Sequence, residues 1–364
     1  MRDGAMQQRS VAIEAGRITR GPLPEVDLRG LHILPGIVDL HETTLLTQRL
    51  RANEPDRIEE TVRQLQANAA ANGVTTLWAA IGWSWEGGAK DPAWVEQILT
   101  APALNGHADQ VDLRAKIVCE THMSDYADRL LALIQRHSVK SVTFANTVAW
   151  SVKNPGMVPA GCGLPPDLLR LKASEAAQRT KSVPRFLCRM AEAFDGLGVS
   201  YGSIADPDGE TRETYSMIGA KLCERPQRRS AAALARAVSD PVVLTVDQIA
   251  PHGGCEALPP QLADAVASGV AGQRGLVSAL YQLAAQPRWD LPRAWGLVTT
   301  GPTEIMRMAD RGTIDYGKRA DLVIVNPESL QVEGTICGGR LTYLTGIAQR
   351  RFQRAIKVQH LAAE

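Results

Sequence analysis

Imidazole and carboxylate side chains are the groups best suited to hold a divalent ion or move a proton. This 364-residue chain has few imidazoles. Its seven histidines are His32, His41, His107, His122, His137, His252 and His360, and none lies between His137 and His252. His41 follows an apolar run, Ile33 to Leu40, with Thr43 two residues on. In an extended segment His41 and Thr43 share a side while Glu42 points to the other. A threonine hydroxyl is a poor metal ligand. Glu120 closes a second apolar run, and His122 shares its side if that strand continues. Three loops could hold a ligand. Glu224-Arg225-Pro226-Gln227-Arg228-Arg229 leads from a strand into a helix. Guanidinium forks beside a helix start suit phosphate, although a solvated helix start is the plainer reading. Pro251-His252-Gly253-Gly254-Cys255-Glu256 has glycines that let the backbone approach a ligand closely. Gly82-Trp83-Ser84-Trp85-Glu86-Gly87-Gly88 could form an aromatic wall or pack as tryptophans on a rim.

The elements that must position these groups alternate between strand and helix. Ile33–Leu40 reads as one short strand entered through Pro35-Gly36. A helix over 57–71 follows, with Asp56 as N-cap, Glu59 three residues on, and Ile58, Val62, Leu65 and Ala69 on one face. Gly73 ends that helix and a buried strand runs from Val74 to Ala80. Further strands are expected over 115–119, 141–144, 199–204, 221–223, 242–246 and 265–267. Helices are expected over 125–136, 167–194, 210–218, 228–237, 276–285 and 293–299. Eight strands separated by helices imply parallel pairing through crossovers. A closed barrel and an open doubly wound sheet both satisfy that count, but no G-x-G-x-x-G follows the first strand. Both chain ends are different. Ser10–Ile18 reads as strand, turn, strand, and the chain from Gly312 onward is strand-rich. The two ends are expected to pair in one small β-module.

Composition narrows the function classes. A formal net charge of +1 argues against a nucleic-acid binder and against a polybasic membrane anchor. No apolar run is long enough to span a bilayer, and the first residues lack the apolar core of a signal peptide. The six cysteines, Cys119, Cys162, Cys188, Cys223, Cys255 and Cys337, are scattered without a C-x-x-C pair. They read as reduced thiols of a cytoplasmic protein.

Three segments together resemble the amidohydrolase superfamily. They are His32-Ile33-Leu34-Pro35-Gly36-Ile37-Val38-Asp39-Leu40-His41, Val298-Thr299-Thr300-Gly301-Pro302-Thr303-Glu304, and Gly317-Lys318-Arg319-Ala320-Asp321-Leu322-Val323-Ile324. The resemblance implies a (β/α)8 TIM-like barrel over 33–311. It also implies a small β-sandwich built from 1–32 and 312–364. Within the superfamily the chain is most similar to the PhnM family of phosphonate-utilisation enzymes, which release pyrophosphate from ribose 1-methylphosphonate 5-triphosphate. That likeness rests on Leu113–Glu120 and Ile218–Pro226.

The family holds divalent metal at the C-terminal ends of the barrel strands, where it activates water. By that resemblance His41 and Glu120 are the metal candidates, with His122 and His252 as weaker ones. Zinc or manganese would be the ion. Several expected ligands are missing. Thr43 replaces the second residue of the first pair, Asn146 is the nearest polar group where a histidine is expected, and Ile204 stands at another histidine position. Asp206, two residues after Ile204, is the weak catalytic candidate and would substitute there if the loop shifts; separately, Gly269 occupies the slot of the usual proton-shuttling aspartate. Loss of one ligand or its support commonly costs about 10- to 100-fold in affinity or activity. The expectation is therefore a degenerate site that holds no cofactor. The chain would act in ligand binding, through Arg225, Asn146, Gly253 and Gly254, or as the partner of an active subunit. Its ligand would be a small phosphorylated or phosphonate compound, and its protein partner a second copy or a phosphonate-pathway protein. The alternative is an active hydrolase of a phosphoanhydride or C–N bond with a reduced mononuclear site. A third reading, a metal-free barrel enzyme using the Arg225 region, lacks an identifiable nucleophile.

Overall fold

The computed structural model describes residues 4–47, 55–101, 104, 110–153, 164–250, 257–269 and 272–361. Fourteen strands are present among them. β1 (Ala12–Glu14) and β2 (Arg17–Thr19) form a hairpin. β3 (His32–Pro35) leaves for one sheet and β4 (Ile37–Glu42) begins another. β5 (Val74–Trp83), β6 (Asp112–Glu120), β7 (Ser141–Ala145), β8 (Ser200–Ile204), β9 (Leu222–Glu224), β10 (Val242–Thr245) and β11 (Ala265–Ala267) follow, separated by helices. β12 (Leu322–Val325), β13 (Val332–Cys337) and β14 (Arg340–Leu344) come after the last of these helices.

β4 to β11 pair in chain order, every pair parallel. The first and last strands meet through a parallel bridge between Glu42 and Gly269, where Gly269 N–H donates to the His41 carbonyl at 3.0 Å. The sheet is thus a closed barrel, the (β/α)8 architecture that the resemblance implied and one of the two that the alternating pattern allowed. Its seam has two further fasteners. Lower down, Val266 N–H donates to Leu297 O and Val38 N–H to Val298 O, both at 2.8 Å, so a stretch of loop fills the gap between the strands. Higher up, Ser268 N–H donates to Asp39 Oδ1 at 3.0 Å.

The apolar run from Ile33 to Leu40, read as one strand, is two. Leu34 pairs with Val323 of β12 and Ile37 with Val74 of β5, so the chain changes sheet at Gly36. Glycine is required there because a Cβ would meet Thr75 Cγ2 at 2.4 Å. The apolar character is continuous across Gly36 because both sheets bury it. β3 joins β12, β13 and β14 in an antiparallel sheet of order β14-β13-β12-β3. The β1–β2 hairpin reaches the same region, since Ile18 N–H donates to Lys318 O at 2.9 Å.

Three other elements depart from the sequence reading. The helix placed over 57–71 begins at Pro55, so Asp56 lies inside its first turn, with proline at the start where no N–H is needed. Ile58, Val62, Leu65 and Ala69 do form its buried face. The helix expected over 167–194 is two, Pro166–Ala177 and Val183–Leu197, broken by a tight turn at Thr180–Ser182. The strand-rich C-terminal region ends in a helix, Gly346–Leu361, whose Ala348 N–H is capped by buried Glu333 at 2.8 Å.

Inside the barrel, Val38, Leu40, Trp78, Leu222, Val243, Ala265 and Ala267 form an apolar layer with Met308. A second apolar group, Ala80, Val118 and Ala145, packs with Ile204. The barrel is packed rather than hollow. The Val298–Glu304 segment lies against its base, where a Cβ on Gly301 would stand 1.9 Å from the Asp264 carbonyl oxygen. Backbone on both sides cannot yield easily. Gly301→Ala is expected to destabilise the protein by about 3 kcal/mol or more, the upper range for overpacking, read as a lowered urea midpoint. A midpoint within error of the parent would contradict this packing.

Candidate functional site

In a barrel of this kind, reactive groups sit where strands end at the C-terminal face. Here a charged cluster also lies inside it. On β6 alternate residues face the interior. Arg114 stacks over Trp78 at 5.2 Å, Lys116 follows, then Val118 in the upper apolar group, then Glu120. The Lys116 ammonium is fully buried. It donates to Glu224 Oε2 in a short contact and to the Leu40 carbonyl at 3.1 Å. Glu224, the last residue of β9, also accepts from Thr143 Oγ1 of β7 at 2.6 Å, and His41 Nδ1 lies 3.1 Å from its Oε2.

His41 reaches the interior because β4 is irregular. Asp39 pairs with Leu77 and Glu42 with Ala79, so Leu40 and His41 together oppose one residue of β5. Such a bulge redirects side chains. Leu40 stays in the apolar layer while His41 meets Glu224. Glu42 turns to its own loop, accepting from Thr44 N–H at 2.9 Å and from the Thr44 hydroxyl.

Charge in this cluster is nearly balanced. Burial alone would raise the Glu224 pKa. The Lys116 ammonium and the His41 hydrogen bond outweigh it and hold Glu224 at about 2. Burial draws the Lys116 pKa down, with Glu224 opposing and Asp39 adding a weaker pull. Asp39 is fully buried and its pKa is raised by that burial, against bonds from Ser268 and His41 N–H. Its Oδ2 has no hydrogen-bond partner among the described residues.

Glu120 belongs to a second cluster. Its carboxylate accepts from Thr147 N–H at 3.2 Å and Trp85 Nε1–H at 3.3 Å. Thr147 also donates its hydroxyl to Glu86 at 3.3 Å, and Lys90 pairs with Glu86 at 2.7 Å. Burial, then the neighbouring Glu86 charge, push Glu120 up to about 7. Burial likewise pushes Glu42 to about 7. A carboxyl that titrates near neutrality at a strand end can give or take a proton.

The other sequence candidates fall in different places. His122 is buried with both ring nitrogens engaged, one with Thr121 Oγ1 at 3.1 Å and the other with Thr180 Oγ1 at 3.3 Å. Asp206 is sealed away. Its Oδ2 accepts from Ser203 at 2.7 Å and pairs with buried Arg212 at 3.4 Å, which also pairs with Asp240 at 3.3 Å. Together they form a buried ion network. Asn146 is exposed. Arg225 follows β9 with φ 44° and pairs with Asp247 at 3.2 Å, and its Nε is buried without a partner among the described residues. His252, Gly253 and Gly254 lie outside the described residues. Gly269 has φ 59°, and a Cβ there would meet Thr245 Cγ2 at 2.6 Å, so no carboxylate can replace it without rearrangement. Trp83 is buried in the main core, while Trp85 serves Glu120.

Sequence reasoning missed Lys116 and the role of Glu224. The signal was present. Parallel barrel strands are buried on both faces, so a lysine inside the run Ala115 to Cys119 demands a buried counter-charge.

A β-aspartyl dipeptidase from Fervidobacterium islandicum matches with TM-score 0.57 and 13% identity, over 92% of each chain. An N-acetylglucosamine-6-phosphate deacetylase from Pasteurella multocida matches with TM-score 0.60 and 12% identity, over 91% of this chain and 94% of the other. A zinc complex of an atrazine chlorohydrolase from Arthrobacter aurescens matches with TM-score 0.59 and 13% identity, over 96% and 94%. The fold is that of the amidohydrolases. No family model matches the sequence, and no curated protein does.

A metal such as the zinc of the chlorohydrolase complex would find a poor donor set among the described residues. His41 and Glu120, the two foremost candidates, fall in separate clusters. Among the described residues no group of three or more histidine, cysteine, aspartate or glutamate side chains is arranged to hold an ion. An ion beside Glu224 would meet the Lys116 ammonium at contact distance, where like charges repel strongly. Among the described residues, those around Glu224 do not fit a divalent cation. A cleft of about 1030 Å³ does exist, but at the opposite end of the barrel, lined by Trp78, Arg114, Lys221, Arg236 and Asp240. Of its cations, Arg114, Lys221 and Arg236 are paired with Asp112, Asp240 and Asp264.

The raised pKa of Glu120 makes a prediction about stability. Its folded pKa, about 7, exceeds the unfolded 4.5, so folding favours the protonated form. Stability attached to this group is present below pH 4.5 and is lost as pH rises toward 7. Glu120→Gln removes that loss. Urea unfolding should find the variant more stable by as much as about 3 kcal/mol at pH 8 and close to the parent at pH 4.5. Destabilisation of equal size at both pH values would show the carboxylate to be ionised and needed. Arg212→Met strips a buried cation from two aspartates and should cost about 3–5 kcal/mol, seen as a lowered melting temperature.

Proposed function

We propose that this protein binds a small phosphorylated or phosphonate ligand at the C-terminal mouth of an amidohydrolase-type barrel, without a divalent metal. The observation that carries the reading is the buried contact of Lys116 with Glu224 beside His41. It puts an ammonium in the charged interior of the barrel and commits two groups that could otherwise ligate an ion.

The phosphate part rests on three supports. Arg225 follows β9 at the same end of the barrel as Glu224, with a buried guanidinium nitrogen still unpartnered among the described residues. Charge-assisted, fork-like bonds from arginine suit a phosphate or phosphonate. The Leu113–Glu120 and Ile218–Pro226 segments are similar to PhnM enzymes. Two structural neighbours, from Pasteurella multocida and Thermotoga maritima, are deacetylases whose named substrate is a sugar phosphate. Proteins sharing this fold do diverse chemistry.

Glu120 favours a second reading, a hydrolase that keeps proton-transfer capacity. A carboxyl at about 7 beside Thr147 and Trp85 is suited to general acid–base work. In that reading turnover of a phosphoanhydride or cyclic amide would depend on Glu120 and on His41.

Calorimetric titration separates these readings. With zinc or manganese the purified protein should give no stoichiometric tight binding. With ribose 5-phosphate or methylphosphonate it should give saturable heat, weakened about 10- to 100-fold in Arg225→Ala, the loss expected for a charge-assisted hydrogen bond. One tight equivalent of metal, lost in His41→Ala, would reject the metal-free reading.

A further inference from the structure

The cleft at the N-terminal end of the barrel has a floor and a rim of different chemistry. Trp78 and Leu222 of the inner apolar layer form the floor, with Ile305 and Met306 packed on it. The rim carries five cations and four acids. Two of the acids are taken up. Asp264 pairs closely with Arg236, and Asp195 accepts the Tyr201 hydroxyl at 3.1 Å. Three of the cations are held loosely or not at all. Lys221 Nζ reaches Asp240 Oδ1, Ser216 O and Ser216 Oγ, each at 3.5 Å, beyond good hydrogen-bond distance. Lys140 donates to one carbonyl, Leu197 O, at 3.2 Å. Arg307 makes no ion pair with a described residue. It stands at φ 53° just past the Thr300–Ile305 helix, where left-handed backbone ordinarily selects glycine. Asp240 is only 2% exposed. Its Oδ2 lies 3.3 Å from Arg212, and its Oδ1 has no hydrogen-bond partner among the described residues. A buried carboxylate oxygen covered only by a loose ammonium keeps accepting capacity to spare.

We propose that this cleft is a second binding site, for a phosphate monoester of a small polyol. Its volume of about 1030 Å³ is at the upper end of the range for small-molecule sites. The phosphate meets Lys140, Lys221 and Arg307. A ligand hydroxyl donates to Asp240 Oδ1 in the place of Lys221, and the carbon skeleton lies on the apolar floor. Lys221 thereby exchanges a loose contact for a charge-assisted bond to phosphate. Lys140 and Arg307, which pair with no described acid, balance the dianion. The site lies at the opposite end of the barrel from Arg225, so it goes beyond the reading of the mouth and stands or falls separately.

The experiment titrates ribose 5-phosphate and methyl phosphate into the parent, Arg225→Ala and the double variant Lys221→Met/Arg307→Met. Lys221 and Arg307 are exposed, so the double variant is expected to melt as the parent does. With ribose 5-phosphate the parent should show two equivalents. Arg225→Ala should keep the cleft equivalent at its parental affinity, and the double variant should lose it. Methyl phosphate, whose carbon bears no hydroxyl, should bind the cleft about ten-fold more weakly, the loss expected for one hydrogen bond to a charged group. Equal cleft affinity for the two compounds would overturn the polyol assignment. A parent with one equivalent that Arg225→Ala removes and the double variant retains would overturn the cleft site and leave the mouth reading standing. One equivalent that survives Arg225→Ala and vanishes in the double variant would keep the cleft and reject the mouth. Absence of saturable heat in the parent would overturn both.

Discussion

Everything inside this barrel answers to one buried ion pair. Removing an ammonium and a carboxylate from water costs several kcal/mol for each ion even after relaxation. The cost is tolerable only if the two meet and if their remaining hydrogen-bonding capacity is filled. Lys116 meets Glu224 and turns a second N–H to the Leu40 carbonyl. Glu224 takes the Thr143 hydroxyl on one oxygen and His41 on the other. Four strands, β4, β6, β7 and β9, therefore contribute to one neutral knot between two apolar layers.

The knot also gives the β4 bulge a purpose. Regular alternation would let β4 send either Leu40 or His41 inward, not both. Two residues opposing one let the strand fill the apolar layer and supply the imidazole. The Glu120 cluster is a contrast. Glu120 has no cation in contact and is held by a backbone N–H and an indole N–H, so burial governs its protonation. One carboxylate is kept charged by a lysine and another is drawn toward neutrality within the same barrel.

Much of the fold was legible in the residues. Alternating apolar runs and amphipathic helices fixed the eight barrel strands within a residue or two in most cases, even the three-residue strand at Ala265. The split at Gly36 was not legible, because hydrophobicity does not record which sheet a residue enters. The final helix was missed because its helical period lies behind a strand-rich stretch. The site was legible only in part. His41 was noticed through a motif, and the structure does bring it to a carboxylate, but to Glu224 instead of Glu120. That pairing depends on which strands face each other across the barrel, a distance of 183 residues along the chain that no local pattern encodes. Asp206 looked free in the sequence only because Arg212 and Asp240, its network, are ordinary surface residues by type.

Asp39 carries a consequence of its own. One of its oxygens holds Ser268 N–H across the junction of the first and last strands, and its charge bears on the lysine in the interior. Mechanical closure and internal neutrality thus converge on a single side chain. An amide there could keep the first task and fail the second, and an apolar residue would fail both. The residue that clasps the wall is also tuned to what the wall encloses, so the barrel's shape and its inner chemistry cannot drift apart independently.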